Sequence, residues 1–290
     1  MDNKIRNKKT RKHRAGKVLG DIYAVIIYAI FYIPVAVMIF FSFNNADRNY
    51  YWQGFTTDWY VKLFDFTNKD LWMALGYSLL IAVLSTIISV TIGVLGGIGL
   101  KKFEFKMKKF IGLMIYIPII VPEIVMAVAM LIIFMTIGIK LGLGTILIGH
   151  CTFCIPYAVI TIKGRISGDN ETLQEASMDL GANRLQTFWR ITIPTIMPGI
   201  TSSAFLAFTL SIDDVVMSNM LAGASQSTLP VLILSMNRTG ITPDVNALTT
   251  LMVAFMLVAM LTVNGIQRAR AKKEKRLLAE SDAIISANKK

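Results

Sequence analysis

Apolar positions in this chain come in long runs, with neither strict alternation nor a heptad spacing. Six stretches, near 20–43, 74–99, 110–137, 141–163, 197–221 and 245–266, have the length and apolar content for a helix to cross a hydrocarbon core, which takes about 20 residues. They are too long and too uniform for strands. Within a bilayer the backbone must satisfy its own polar groups, so such runs become helices. The pattern predicts an all-α integral membrane protein with six transmembrane helices spanning 20–266. A basic segment precedes them at 1–19 and a charged, then small and polar, tail follows at 267–290.

The connections differ in character. Only a few residues around Lys140 join the third and fourth spans, which predicts a tight hairpin. The loop at 44–72 is long and aromatic, with Tyr50, Tyr51, Trp52, Phe55, Trp59 and Tyr60. Such rings form interfacial belts or a docking surface for a partner. The run LPVLIL at 229–234 is too short to span and predicts a surface or re-entrant turn of helix. In the third span, IPIIVPEIV places Pro118 and Pro122 before Glu123. Each proline removes a helix hydrogen bond and frees a carbonyl. The result is either a broken helix of the kind that holds a cation, or a kink with Glu123 paired to a basic group.

Composition agrees: 54% of the 290 residues are hydrophobic. The net charge is +12, and its distribution decides its meaning. Of the 30 Lys and Arg, only Arg48, Lys62, Lys69, Lys140 and Arg238 lie in the first, third and fifth connections. The others precede the first span, follow the last, or occupy the second and fourth connections. Basic excess marks the cytoplasmic face, so both termini are expected in the cytoplasm. No nucleic-acid partner is needed to explain the charge. The apolar run at 22–43 exceeds the 7–15 residues of a signal-peptide core, and no clear A-x-A site follows, which predicts an uncleaved first span.

Candidate chemistry is sparse. His150, Cys151 and Cys154 form HCTFC. The order is wrong for haem attachment, a fourth zinc ligand is missing nearby, and there is no βαβ context for a redox pair. Two small buried thiols on one helix face are expected, with His150 turned to protein or water. No nucleotide-binding loop, H-E-x-x-H or G-x-S-x-G occurs. The chain is therefore not expected to be an enzyme or to bind a cofactor by itself. Uphill transport would draw on an ion gradient or on a partner.

The loop at 164–195 is the most informative. Within ETLQEASMDLGANRLQTFWRITIP (171–194), Thr172 and Glu175 fit a capping box. Leu173, Ala176 and Leu180 share a helical side, and Gly181 suits the left-handed turn that ends a helix. Asn183 caps a second helix edged by Leu185, Phe188 and Trp189, and Pro194 and Pro198 mark entry to the fifth span. Two short helices with an exposed apolar edge result.

Glu175, Ala176, Gly181, Ala182, Phe188, Ile191 and Pro194 match the EAA loop of ABC importer permeases; Ser177 replaces the usual alanine and Ile193 the usual leucine. The blocks at 52–60 and 208–248 further resemble permease subunits of spermidine/putrescine importers. Relatives for iron, thiamine, molybdate and other organic cations share the loop. The resemblance implies a type I importer permease in a bacterial inner membrane. Its implied partners are a second permease, two ATPase subunits that bind ATP and Mg, and an extracytoplasmic polyamine-binding protein. It also implies that Glu175, Ala176, Ser177, Gly181, Ala182, Phe188 and Pro194 couple to the ATPase.

The run FTLSIDDVVMSNM at 208–220 carries Asp213 and Asp214 within an apolar span. Each charge at mid-bilayer costs about 2.5–3.5 kcal/mol on insertion scales. Asp213, with Ser211 and Glu123, is expected to line a cation path, and Asp214 to pair within the bundle or with the partner permease. A purely structural pair remains the alternative. Rival readings are a related permease for another substrate, a proton-driven carrier using Glu123 and Asp213, and a membrane-anchored interaction protein.

Overall fold

The computed structural model describes residues 2–46, 51–65, 69–166, 169–223, 226–236 and 243–287. In chain order the helices are α1 (Asp2–Phe41), α2 (Asp58–Phe64), α3 (Lys69–Lys102), α4 (Lys108–Met114), α5 (Ile117–Ile120), α6 (Glu123–Thr136) and α7 (Leu143–Lys163). There follow α8 (Asp169–Asp179), α9 (Arg184–Thr187), a π-helical turn at Phe188–Thr192, α10 (Ile193–Ile212), α11 (Val216–Leu221), α12 (Leu229–Met236) and α13 (Pro243–Ala287). Among the described residues five helices are long and apolar enough to cross a membrane, and a sixth crossing is formed if the bent pair Lys108–Ile120 and Glu123–Thr136 counts as one. The all-α membrane architecture is therefore as expected. α1 and α13 each run without a break from an apolar stretch into the basic terminal segment beside it.

Two of the expected spans are discontinuous. The third bends by 106° where Val121 is extended and Pro122 precedes α6. A residue before proline is pushed from the helical region into the extended one, and the proline cannot donate into the preceding turn. The fifth is displaced from the expected 197–221. It grows directly out of the loop through α9 and the π turn, and it ends at Ile212. The proline ring of Pro194 would crowd the carbonyl four residues back, and a π turn relaxes that clash.

The chain forms two compact units, Met1–Thr67 with Gly240–Lys290, and Asn68–Thr239. In the first, α13 packs on α1 and α2. Its aromatic loop is organised by Asn44, which is fully buried. The Asn44 amide donates to the Tyr51 carbonyl and accepts from the Gln53 N–H, each at 2.8 Å. The Trp59 indole donates to the Asn44 carbonyl at 2.8 Å. Phe40 stacks on Trp52 and Phe43 on Phe55. Tyr50, Arg48 and Arg238 lie outside the described residues.

In the second unit α3 and α7 form the central pair, with α10 against both. The buried face of α3 carries, beside Leu71, Ile81, Val94 and Leu100, a stripe of small residues: Ala74, Ser78, Ala82, Ser85, Ser89, Gly93 and Gly97. Lipid gives helices no hydrophobic reason to associate, so close backbone packing by small residues takes that role. A β-carbon on Gly93 would lie 2.7 Å from that of Ala158 on α7. The expected hairpin forms between α6 and α7. Gly138 has φ +74°, and the Ile139 and Gly138 N–H groups donate back to the Phe134 and Met135 carbonyls, a Schellman closure. α12 is the short helix expected at 229–234, and its Leu229 N–H donates to Ser78 Oγ at 2.9 Å.

Candidate functional site

The two helix breaks meet. α11 packs on α6 and α7, so the Pro122–Glu123 break and the α10–α11 break come together. Asp213 closes α10, with φ −97° and ψ 0°. Asp214 begins the turn into α11, its carboxylate accepting the Ser218 N–H at 2.8 Å and the Met217 N–H at 3.3 Å. The neighbouring acids are thus sorted by helix polarity. Asp214 sits at the positive end of α11 and is satisfied there. Asp213 sits at the negative end of α10, where free carbonyls add to its charge and a cation is favoured. Asp214 is buried at 7% exposure, while Asp213 and Glu123 are exposed.

Glu123, the first residue of α6, turns its carboxyl to that of Asp214, with Asp213 close to both. Facing carboxyls repel unless a proton or a cation lies between them. Ser211 does not join the exposed pair. It is buried, accepts from Ser85 Oγ at 2.9 Å, and lies 2.6 Å from His150 Nδ1.

His150 is the member of this cluster that sequence reasoning placed only as facing protein or water. It is 1% exposed on α7, and its Nε2 is 3.1 Å from Asp214 Oδ2 and 3.1 Å from Ser218 Oγ. The available signal was the rarity of an intramembrane histidine, but 64 positions of sequence separate it from the acid it meets. Cys151 and Cys154 are buried free thiols on the same helix. No group of three or more metal-ligating side chains occurs among the described residues.

The second candidate element is the loop between α7 and α10. Gly181 has φ +89°, and the Ala182 and Gly181 N–H groups donate to the Ser177 and Met178 carbonyls, closing α8 as expected. Asn183 caps α9: its Oδ1 accepts the Gln186 N–H at 2.8 Å, and Gln186 Oε1 accepts the Asn183 N–H at 3.0 Å. The capping box expected at Thr172 and Glu175 does not form, because α8 already begins at Asp169; Asp and Asn just upstream are good initiators.

Leu173, Leu180, Leu185 and Trp189 are exposed, Leu180 at 90%. Glu175, Ala176 and Gly181 are exposed beside them. Phe188 departs from the expected edge. It packs with Val94, Ile162, Ile166 and Ile196 and roots the loop in the bundle. Pro194 is exposed at the start of α10. Ser177, in the usual alanine position, shares a hydrogen bond of 3.2 Å with Thr187 and ties α8 to α9. A cavity of about 620 Å³ lies between this loop and the end of α3, lined by Gly99, Phe103, Gln174, Glu175, Arg184 and Phe188 among others.

An apolar knob on a discontinuous helical bundle defines a class of protein, and comparison with known families supplies it. Residues 89–276 match the family described as "Binding-protein-dependent transport system inner membrane component". The chain belongs to this family, whose members are membrane components of transporters and not their catalytic parts. Among individual relatives, it is 38% identical over 257 residues to the spermidine/putrescine transport system permease protein PotC of Escherichia coli (strain K12), covering 89% of this chain and 97% of that protein. It is 32% identical over 262 residues to the putrescine transport system permease protein PotI of the same strain, covering 84% and 92%. Among solved structures, a bacterial ABC transporter involved in the import of the acidic polysaccharide alginate superposes with a TM-score of 0.66 at 16% identity, covering 88% of this chain and 96% of that one. That match establishes the shared permease fold.

Proposed function

We propose that this chain is a permease subunit of an ATP-driven polyamine importer and supplies half of its translocation path. Asp213 and Glu123 meet the passing ammonium groups, and Asp214 is the fixed anion behind them. The observation that carries this reading is the meeting of two helix breaks, which leaves two carboxyls exposed beside a buried third. A polyamine presents several ammonium groups along a flexible apolar chain, and a short series of acids in an apolar wall suits it. Binding at such a point must be weak, because a passage site also releases. The names of the relatives, spermidine/putrescine and putrescine permeases, support the substrate class.

In this reading residues 1–19 and 267–290 are cytoplasmic and 20–266 form the membrane domain. The loop at 164–195 seats Leu173, Leu180, Leu185 and Trp189 in an ATPase subunit, with Glu175, Ala176, Ser177, Gly181, Ala182, Phe188 and Pro194 giving the knob its shape. A second permease, a pair of ATPase subunits holding ATP and Mg, and an extracytoplasmic polyamine-binding protein complete the complex in the inner membrane.

The test is uptake of labelled spermidine by transport-deficient cells carrying the full complex. Asp213→Asn is expected to lower uptake about tenfold or more, a loss of one charge-assisted contact. No spermidine uptake by the assembled wild-type complex would send the substrate assignment to another cation.

A further inference from the structure

His150 is a buried ionisable side chain to which the cation path gives no task, although Ser211 of α10 and both Asp214 and Ser218 at α11 meet it. The Asp214 carboxylate can only accept, so His150 Nε2, 3.1 Å from its Oδ2, carries a ring proton. Nδ1 is then left to accept the Ser211 hydroxyl at 2.6 Å. Ser85 Oγ backs Ser211 at 2.9 Å and also lies 3.2 Å from the Ala82 carbonyl. Asp214 also accepts the Met217 and Ser218 amides, and the carboxyls of Glu123 and Asp213 lie close to it. Ser218 Oγ and the Phe153 ring flank the imidazole, and the Cys154 thiol lies near the same acid.

A carboxylate held by an imidazole and two amides cannot turn toward a passing ammonium without giving up several bonds at once. Without the imidazole it has only the two amides to give up. We infer that His150 is a positioning residue for cation passage: by gripping Asp214 it keeps that acid in the α10–α11 break and leaves Asp213 and Glu123 alone to meet the substrate. The inference rests on the reading of Asp213 and Glu123 as path carboxyls. Loss of His150 acts through Asp214. The released acid adds a third, mobile carboxylate to the path, which holds the cation too firmly for release and slackens the break.

The experiment uses the complete complex in proteoliposomes loaded with ATP, and follows both labelled spermidine uptake and the ATP hydrolysis stimulated by the liganded binding protein. Variants are His150→Ala, His150→Gln, Asp214→Asn, Asp213→Asn, Glu123→Gln and the pairs of His150→Ala with each aspartate change. His150→Ala is expected to lower spermidine moved per ATP on the order of tenfold, and His150→Gln, which keeps an N–H for Asp214, to recover part of it. His150→Ala with Asp214→Asn is expected to be no worse than the worse single change, and His150→Ala with Asp213→Asn, which takes one carboxylate out of the overfilled path, to lose less than the product of the two single losses. Where His150→Ala does not assemble, His150→Gln carries the same comparisons.

Wild-type uptake by His150→Ala overturns the inference. So do multiplying losses for His150 and Asp214, and so does an equal fall of uptake and ATP hydrolysis in both His150 variants. Failure of the path reading looks different: Asp213→Asn and Glu123→Gln then transport normally, while His150 and Asp214 remain coupled.

Discussion

Asp213 and Asp214 are adjacent and chemically identical, yet the fold gives them opposite surroundings. One closes a helix and is exposed; the other opens a helix and is buried against His150. Their amide variants should therefore separate. Asp214→Asn removes the ionic acceptor of an imidazole and weakens two amide bonds, so it should destabilise the purified complex by about 1–3 kcal/mol. Asp213→Asn should leave the melting temperature near wild type, since a surface change away from bonded features is worth within about 0.5 kcal/mol, while transport falls. Thermal unfolding of the two purified variants, set beside their uptake, checks both; equal melting losses would contradict the sorting. A third residue, Asn44, holds the aromatic loop by two side-chain bonds. Asn44→Ala should expose that loop to limited proteolysis at a lower temperature than wild type.

At the scale of elements, the α3–α7 contact and the α8–α9 turn each depend on a glycine for a different reason. Gly93 is a matter of space. A side chain there must push α3 away from Ala158, and overpacking of this kind costs about 1–3 kcal/mol. Gly93→Leu should leave little folded chain, measured by size-exclusion of the detergent-solubilised complex, and Gly93→Ala should be milder. Gly181 is a matter of backbone. A β-carbon at φ +89° costs about 1–2 kcal/mol in the left-handed region, more for a β-branched residue. Gly181→Val should re-aim α9 relative to α8 and reduce co-purification of the ATPase subunit, with total chain in the membrane unchanged. Full ATPase recovery with Gly181→Val would remove the loop from the coupling role.

For the whole molecule, the concentration of basic residues in alternate connections predicts that both termini and the 164–195 loop share one side. Fluorescent-protein fusions at either terminus should fold and emit. A periplasm-dependent reporter fused after Ile139, in the α6–α7 connection, should be active, and the reverse pattern would invert the topology. Both helix breaks and the contact of His150 with Asp214 lie in the unit Asn68–Thr239, so the carboxyl cluster and the root of the 164–195 loop, through Phe188 and Ile196, belong to one compact body. Motion of the loop can therefore reach the α10–α11 break along α10 itself.

Local rules determined much of this from the sequence. Apolar run length dictates helices in a bilayer, proline at 122 dictates a break, and glycine at 138 or 181 and asparagine at 183 dictate how helices stop and start. Each of these depends on residues within about one turn. Tertiary structure decided the rest. The fifth span's end at Ile212, the inward turn of Phe188, the burial of Ser211 and the division between Asp213 and Asp214 all depend on what α3, α6 and α7 bring from 26 to 126 positions away. A carboxylate's role is set by the donors that reach it, and His150 reaches Asp214 only because small residues let the helices close on one another.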